Sequence, residues 1–107
     1  MTRWYILDDD NNPVPSTITE YVEWEHVNPE KRIVKQEHIG DDIRVSTVFL
    51  GLNHSFIDNE TPVLWETMIF GGEHDEYQVR YTSHEAALQG HEIALSLIKT
   101  EKNEENI

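Results

Sequence analysis

Histidines, carboxylates and one arginine at the ends of apolar runs are the residues of this chain whose types could do chemistry. His54 closes one run, and His74, flanked by Glu73 and Asp75, follows another. If those run ends share one rim, two imidazoles with carboxylates form a donor set suited to zinc, manganese or iron. Glu66 stands inside a run, between Trp65 and Thr67, and Arg80 stands in the next. A carboxylate there is costly if buried and unpaired. It reads as a cross-strand ion pair with Arg80, or as a general acid or base of raised pKa beside an anion pocket at Arg80. With Asn53, these residues (Asn53, His54, Glu66, Glu73, His74 and Arg80) make the candidate binding rim. None is assigned a catalytic role, and no cofactor is expected.

Other patterns fall short of known chemistries. His84 and His91 lie seven apart on a predicted helix, about 10 Å in rise, too far to share one ion. Ser46 and Thr47 sit inside a predicted strand without a nucleophile elbow. Gly71-Gly72 lacks a phosphate-loop frame, and Asp8-Asp9-Asp10 lacks the Gly and late Glu of a calcium loop.

The elements that must position the rim follow from periodicity. Trp4–Leu7 reads as a strand, stopped by an acidic turn ending in Pro13. Thr17 and Glu20 have capping-box spacing and open a helix with Ile18, Tyr21, Val22 and Trp24 on one side. That helix should end before Pro29. Four strands are expected at 32–39, 43–50, 63–70 and 77–82, with a polar loop at Asp58–Pro62. Thr82 and Glu85 repeat the capping spacing, ahead of a helix whose inner stripe reads Ala86, Gly90, Ile93, Ala94 and Leu97. The expected fold is α+β: an antiparallel meander of four to five strands with an N-terminal and a C-terminal helix packed on it. Residues 1–100 form one domain and 101–107 a charged, frayed tail. Phe49 and Ile69 are expected in the core, and Trp4, Trp24 and Trp65 in the core or half-buried rather than in a ligand-stacking cage.

Composition narrows the function classes. Eight Lys and Arg against 21 Asp and Glu give a net charge of −13, spread along the whole chain. Such a field repels nucleic acid and anionic membranes, whose binding needs Lys and Arg. Without cysteine there are no disulfides or thiolate metal sites. No apolar run approaches the roughly 20 residues of a membrane span, and the N-terminus lacks a signal-peptide layout. The expectation is a soluble cytoplasmic protein.

The stretch Val45-Ser-Thr-Val-Phe-Leu-Gly-Leu-Asn-His-Ser-Phe, then Trp65-Glu-Thr-Met-Ile-Phe-Gly-Gly and the segment from Arg80-Tyr81 to Gly90-His91, resembles a family of small uncharacterised bacteriophage and prophage proteins. The resemblance spans residues 43–98, with Trp4–Leu7 more loosely. Asp is common in that family where this chain has Asn53, which argues against an anionic ligand or base at position 53. The resemblance carries no activity. It implies a viral accessory protein in the host cytoplasm, of a kind that modulates a host enzyme, counters a host defence system or binds a small signal.

Two functional expectations result. The first is a non-enzymatic acidic protein that binds and modulates a host protein through that protein's basic surface, including one that normally holds nucleic acid. The alternative is a nucleotide-type ligand sponge or a metal-dependent hydrolase built on the rim. A homodimer is also expected, because the strands at 43–50 and 63–70 carry apolar residues on both faces and the helices are short of material to cover two.

Overall fold

The N-terminal segment turns on one aspartate. In this computed structural model, which describes residues 3–55 and 61–105 (side chains to residue 99), strand β1 spans Trp4–Leu7. Asp8 Oδ1 then accepts the amides of Asp10 and Asn12, each at 2.9 Å, while Asn11 takes a left-handed φ of 64°. The hairpin returns as β2, Pro13–Ser16, a strand the sequence reading omits because it holds two prolines. Both are tolerated by phase. Pro15 lies opposite Tyr5, whose amide points away to Gly51 O, so no ladder bond is needed from Pro15; Pro13, two residues on, shares that phase.

Thr17 caps α1, Ile18–Val27, through both bonds of a capping box: the Glu20 amide donates to Thr17 Oγ1 and the Thr17 amide to Glu20 Oε1. A 3-10 turn at Pro29–Arg32 follows. The packed side of α1 differs from expectation. Tyr21 is buried and Trp24 half-buried, whereas Ile18 and Val22 are 54 % and 55 % exposed. Aromatic contact sets this rotation, with ring centroids stepping from Trp4 to Tyr21 (5.0 Å), Trp24 (6.0 Å), Phe49 (5.7 Å) and Trp65 (5.5 Å).

Strands β3 (Ile33–Ile39), β4 (Ile43–Phe49), β5 (Trp65–Phe70) and β6 (Gln78–Tyr81) form the expected antiparallel meander in sequence order. The hairpin β1–β2 stands apart as a second, two-stranded sheet. The loop expected at Asp58–Pro62 and the end of the expected tail fall partly outside the described residues. Helix α2, His84–Glu105, lies against all four strands of the meander. Its cap is Ser83, whose hydroxyl accepts the Ala86 amide at 3.0 Å, rather than Thr82. Its inner stripe is Ala87, Gly90, His91, Ala94, Leu95 and Ile98, about one residue round from the expected one, and Ile93 faces out at 58 % exposure. Gly90 is required there: a Cβ would overlap the ring and hydroxyl of Tyr81.

One apolar cluster joins Leu7, Tyr21, Phe49, Leu64, Trp65 and Ala87; a second joins Ile43, Val45, Ile69, Ala94, Leu95 and Ile98. Phe49 and Ile69 are fully buried, as expected. Alternation on β4 and β5 puts Ile43, Val45, Thr47, Phe49, Trp65, Thr67 and Ile69 under α2, while Arg44, Ser46, Val48, Glu66, Met68 and Phe70 lie on the opposite face. Among the described residues, no helix is long and apolar enough to cross a membrane.

Candidate functional site

Antiparallel pairing divides the expected rim. Phe49 pairs with Trp65 at one end of β4 and β5, and Arg44 with Phe70 at the other. His54, after β4, therefore sits at the first end and His74, after β5, at the second. The two ends are about 17 Å apart, five residue steps of about 3.4 Å. Successive strand ends alternate in a meander, so the two imidazoles do not converge. Among the described residues, no group of three or more His, Asp or Glu side chains is placed to hold a metal ion.

Each half of the rim has local work. Asn53 Oδ1 accepts the amides of Ser55 (2.8 Å) and Val63 (3.0 Å), stapling the two ends of the loop between β4 and β5. His54 Nδ1–H donates to Leu52 O at 2.7 Å. At the other end, Asp75 Oδ1 accepts the Gly71 amide at 2.6 Å and His74 O accepts the Tyr77 amide, which closes the turn carrying Glu73. Glu66 and Arg80 are register partners, as the ion-pair reading expects. Glu66 is 8 % exposed; its Oε2 accepts Arg80 Nε–H at 2.9 Å and Gln78 Nε2–H at 2.5 Å. The carboxylate is paired with the arginine and capped by an amide.

A connected polar group lies on the covered face, made of residues the sequence suggests only singly (Thr47) or with another partner (His91 with His84). Thr47 and Thr67 are register partners with their hydroxyl oxygens 2.5 Å apart. His91 Nδ1 lies 2.7 Å from Thr47 Oγ1, and His91 Nε2 lies 3.2 Å from Glu37 Oε1 on β3. Because a carboxylate can only accept, Nε2 carries the proton and Nδ1 receives the Thr47 hydroxyl, which in turn receives that of Thr67. Burial pushes the His91 pKa below its ordinary value, against the opposing pull of the Glu37 carboxylate, so the neutral ring is favoured. Beyond Glu37, Lys35 Nζ bonds Glu92 at 2.8 Å and Glu37 at 3.3 Å; the Glu92 and Glu37 bonds raise the lysine's pKa, and Lys35 lowers that of Glu92.

Carboxylate, imidazole and hydroxyl in line are the parts of a nucleophile and its general base. Here the chemistry is closed off: Thr47, Thr67 and His91 are 0 % exposed, sealed between the sheet and α2. No substrate can reach Thr47 Oγ1. What the line does is fix α2 in register on three strands. Its signal in the sequence is phase: Thr47 alternates with Val45 and Phe49, Thr67 with Trp65 and Ile69, and His91 sits on the small-residue stripe.

The apolar residues that α1 leaves outside form the second distinctive surface. Ile18 and Val22 line a shallow concavity with Thr19 and Glu23, and Val22 lines another with Glu25, His26 and Pro29. No protein-family model matches this chain, and neither does any curated protein or solved structure.

Proposed function

We propose that this chain is a non-enzymatic, acidic interaction protein that docks on a basic surface of another protein and modulates it. The observation that carries the reading is the outer ridge of α1. Ile18 and Val22, one turn apart, are each more than half exposed and stand beside the exposed Glu23. A helix does not gain by presenting β-branched apolar residues to water, whereas an apolar ridge edged with acid fits a groove rimmed with Lys or Arg. The net charge of −13 would steer such a partner from a distance. The resemblance to phage accessory proteins makes a host protein the partner class and the host cytoplasm the setting. The sealing of Thr47 and His91 and the pairing of Glu66 with Arg80 support a binding role over hydrolysis.

The test is capture from a bacterial lysate on immobilised protein, with the Val22→Lys/Glu23→Lys variant alongside. A partner should be retained at low salt, released as salt rises because rim charges are screened within about 10 Å at 0.1 M, and not retained by the variant. No partner, or one held equally at high salt or by the variant, overturns the reading.

A further inference from the structure

The helices and the small hairpin sheet all pack on one side of the meander. Helix α2 meets Thr47 through His91, α1 meets Phe49 through Trp24, and Leu7 of the hairpin packs in one cluster with Phe49; Thr47 and Phe49 belong to the same face. The described elements leave the other face open. Its rows follow from the register: Ile33, Val48, Glu66 and Arg80; then Gln36, Ser46, Met68 and Gln78; then His38, Arg44 and Phe70. Two properties separate this face from the rest of the molecule. It is part apolar, with Ile33 48 % and Phe70 36 % exposed and Val48 and Met68 half-buried. It is also poor in acid. Among the described residues its rows hold one carboxylate, Glu66, already bonded to Arg80, with Asp41 and Asp42 beside its His38, Arg44 and Phe70 end, while Arg44 lies 4.3 Å over the Phe70 ring.

We infer that the open sheet face is a self-association surface, and that its occupant is the same face of a second copy. A chain of net −13 repels its copy, so two copies can meet only where acid is scarce, and this face meets that condition with apolar groups to bury. Its size fits a weak dimer. Four strands about 4.8 Å apart and six residues deep project roughly 400 Å², so two copies cover roughly 800 Å², below the standard size of stable interfaces and in the range of weak, transient ones. A two-fold pairing lets the Phe70 and Met68 bands of both copies meet with the Arg44 and Arg80 heads at the border.

This dimer has a salt dependence opposite in sign to docking on a basic partner, so the two readings fail separately. Screening weakens the mutual repulsion of two acidic copies, and the association tightens with salt. Sedimentation equilibrium from about 1 to 300 µM protein, at low and at 0.5 M NaCl, should show mass rising above the 12.5 kDa of one chain toward twice that value, at lower concentration in high salt. Phe70→Glu and Gln36→Glu, the latter at an exposed position, should each weaken association about tenfold or more, with circular dichroism unchanged. Ile93→Glu, on the outer side of α2, should leave it unaltered. A monomer throughout, a dimer that loosens with salt, or a dimer lost in Ile93→Glu and kept in the two face variants overturns the inference.

Discussion

Two polar clusters lie one residue apart in sequence, on opposite faces of the same strands, and they behave as different kinds of matter. On the open face Glu66 is held by Arg80 and Gln78, an ion pair with its arginine 39 % exposed. On the covered face Thr67 joins Thr47, His91 and Glu37 in a line whose first three members are sealed from water. The open cluster reaches solvent through its arginine; the covered one favours a neutral ring at its core, since a buried charge would pay the full desolvation cost. Each is complete in its own medium, and that completeness separates structural polarity from an active site. The covered cluster offers no path to its hydroxyls, and in the open one Glu66 is already bonded twice.

The comparison depends on the apolar end that holds both faces of β4 and β5, and removing it should cost most. Phe49 touches Trp24 and Trp65 and is fully buried, so Phe49→Ala should lower unfolding free energy by about 3–5 kcal/mol in a urea titration. For so small a domain that is a large share of the whole. A near-neutral result would remove Phe49 from the central core.

Cutting the covered line should come next. His91→Leu leaves one hydroxyl of the Thr47–Thr67 pair without an acceptor under α2, at about 1–3 kcal/mol. It should also change the response to pH. Burial depresses the folded pKa of His91 below 6.5, so the unfolded chain takes up a proton as pH falls through 6.5 while the folded chain resists it. The stabilisation is therefore present above pH 6.5 and is lost below it, until the folded ring also protonates near Glu37, Lys35 and Glu92. Thermal unfolding between pH 7.5 and 5.5 should show a steeper loss for the native chain than for His91→Leu. Equal slopes would mean that the ring is already charged in the fold.

The smallest effect is expected on the open face. Arg80→Ala removes a half-exposed partner from a carboxylate that keeps the Gln78 amide, and should cost about 1 kcal/mol or less. If Arg80→Ala proved as damaging as His91→Leu, the distinction between the two faces would fail.

The fold was legible where local chemistry decides it. The capping box at Thr17 and Glu20, the helix stop before Pro29, the meander and the Glu66–Arg80 pairing all follow from spacing of two, three or four residues along the chain. Strand β2 was hidden by its prolines, because only the pairing phase with β1 shows that they face away from the ladder. The rim failed for a reason of topology: strand ends that look equivalent in sequence alternate between opposite ends of an antiparallel sheet. Both helices were also rotated from expectation, since the stripe each buries depends on what it meets.

By itself, then, the sequence determined the element types of the meander and both helices, the α+β class, the acidity and the central position of Phe49 and Ile69. Each depends on residue type and short-range period. The tertiary structure alone decided that His91 reaches across to Thr47 and Glu37, that Ile18 and Val22 face outward, and that among the described residues no helix covers one side of the meander. Those outcomes depend on contacts between residues tens of positions apart. Their geometry is fixed by aromatic packing at Trp24 and Phe49 and by the close approach of Gly90 to Tyr81, which no local pattern encodes.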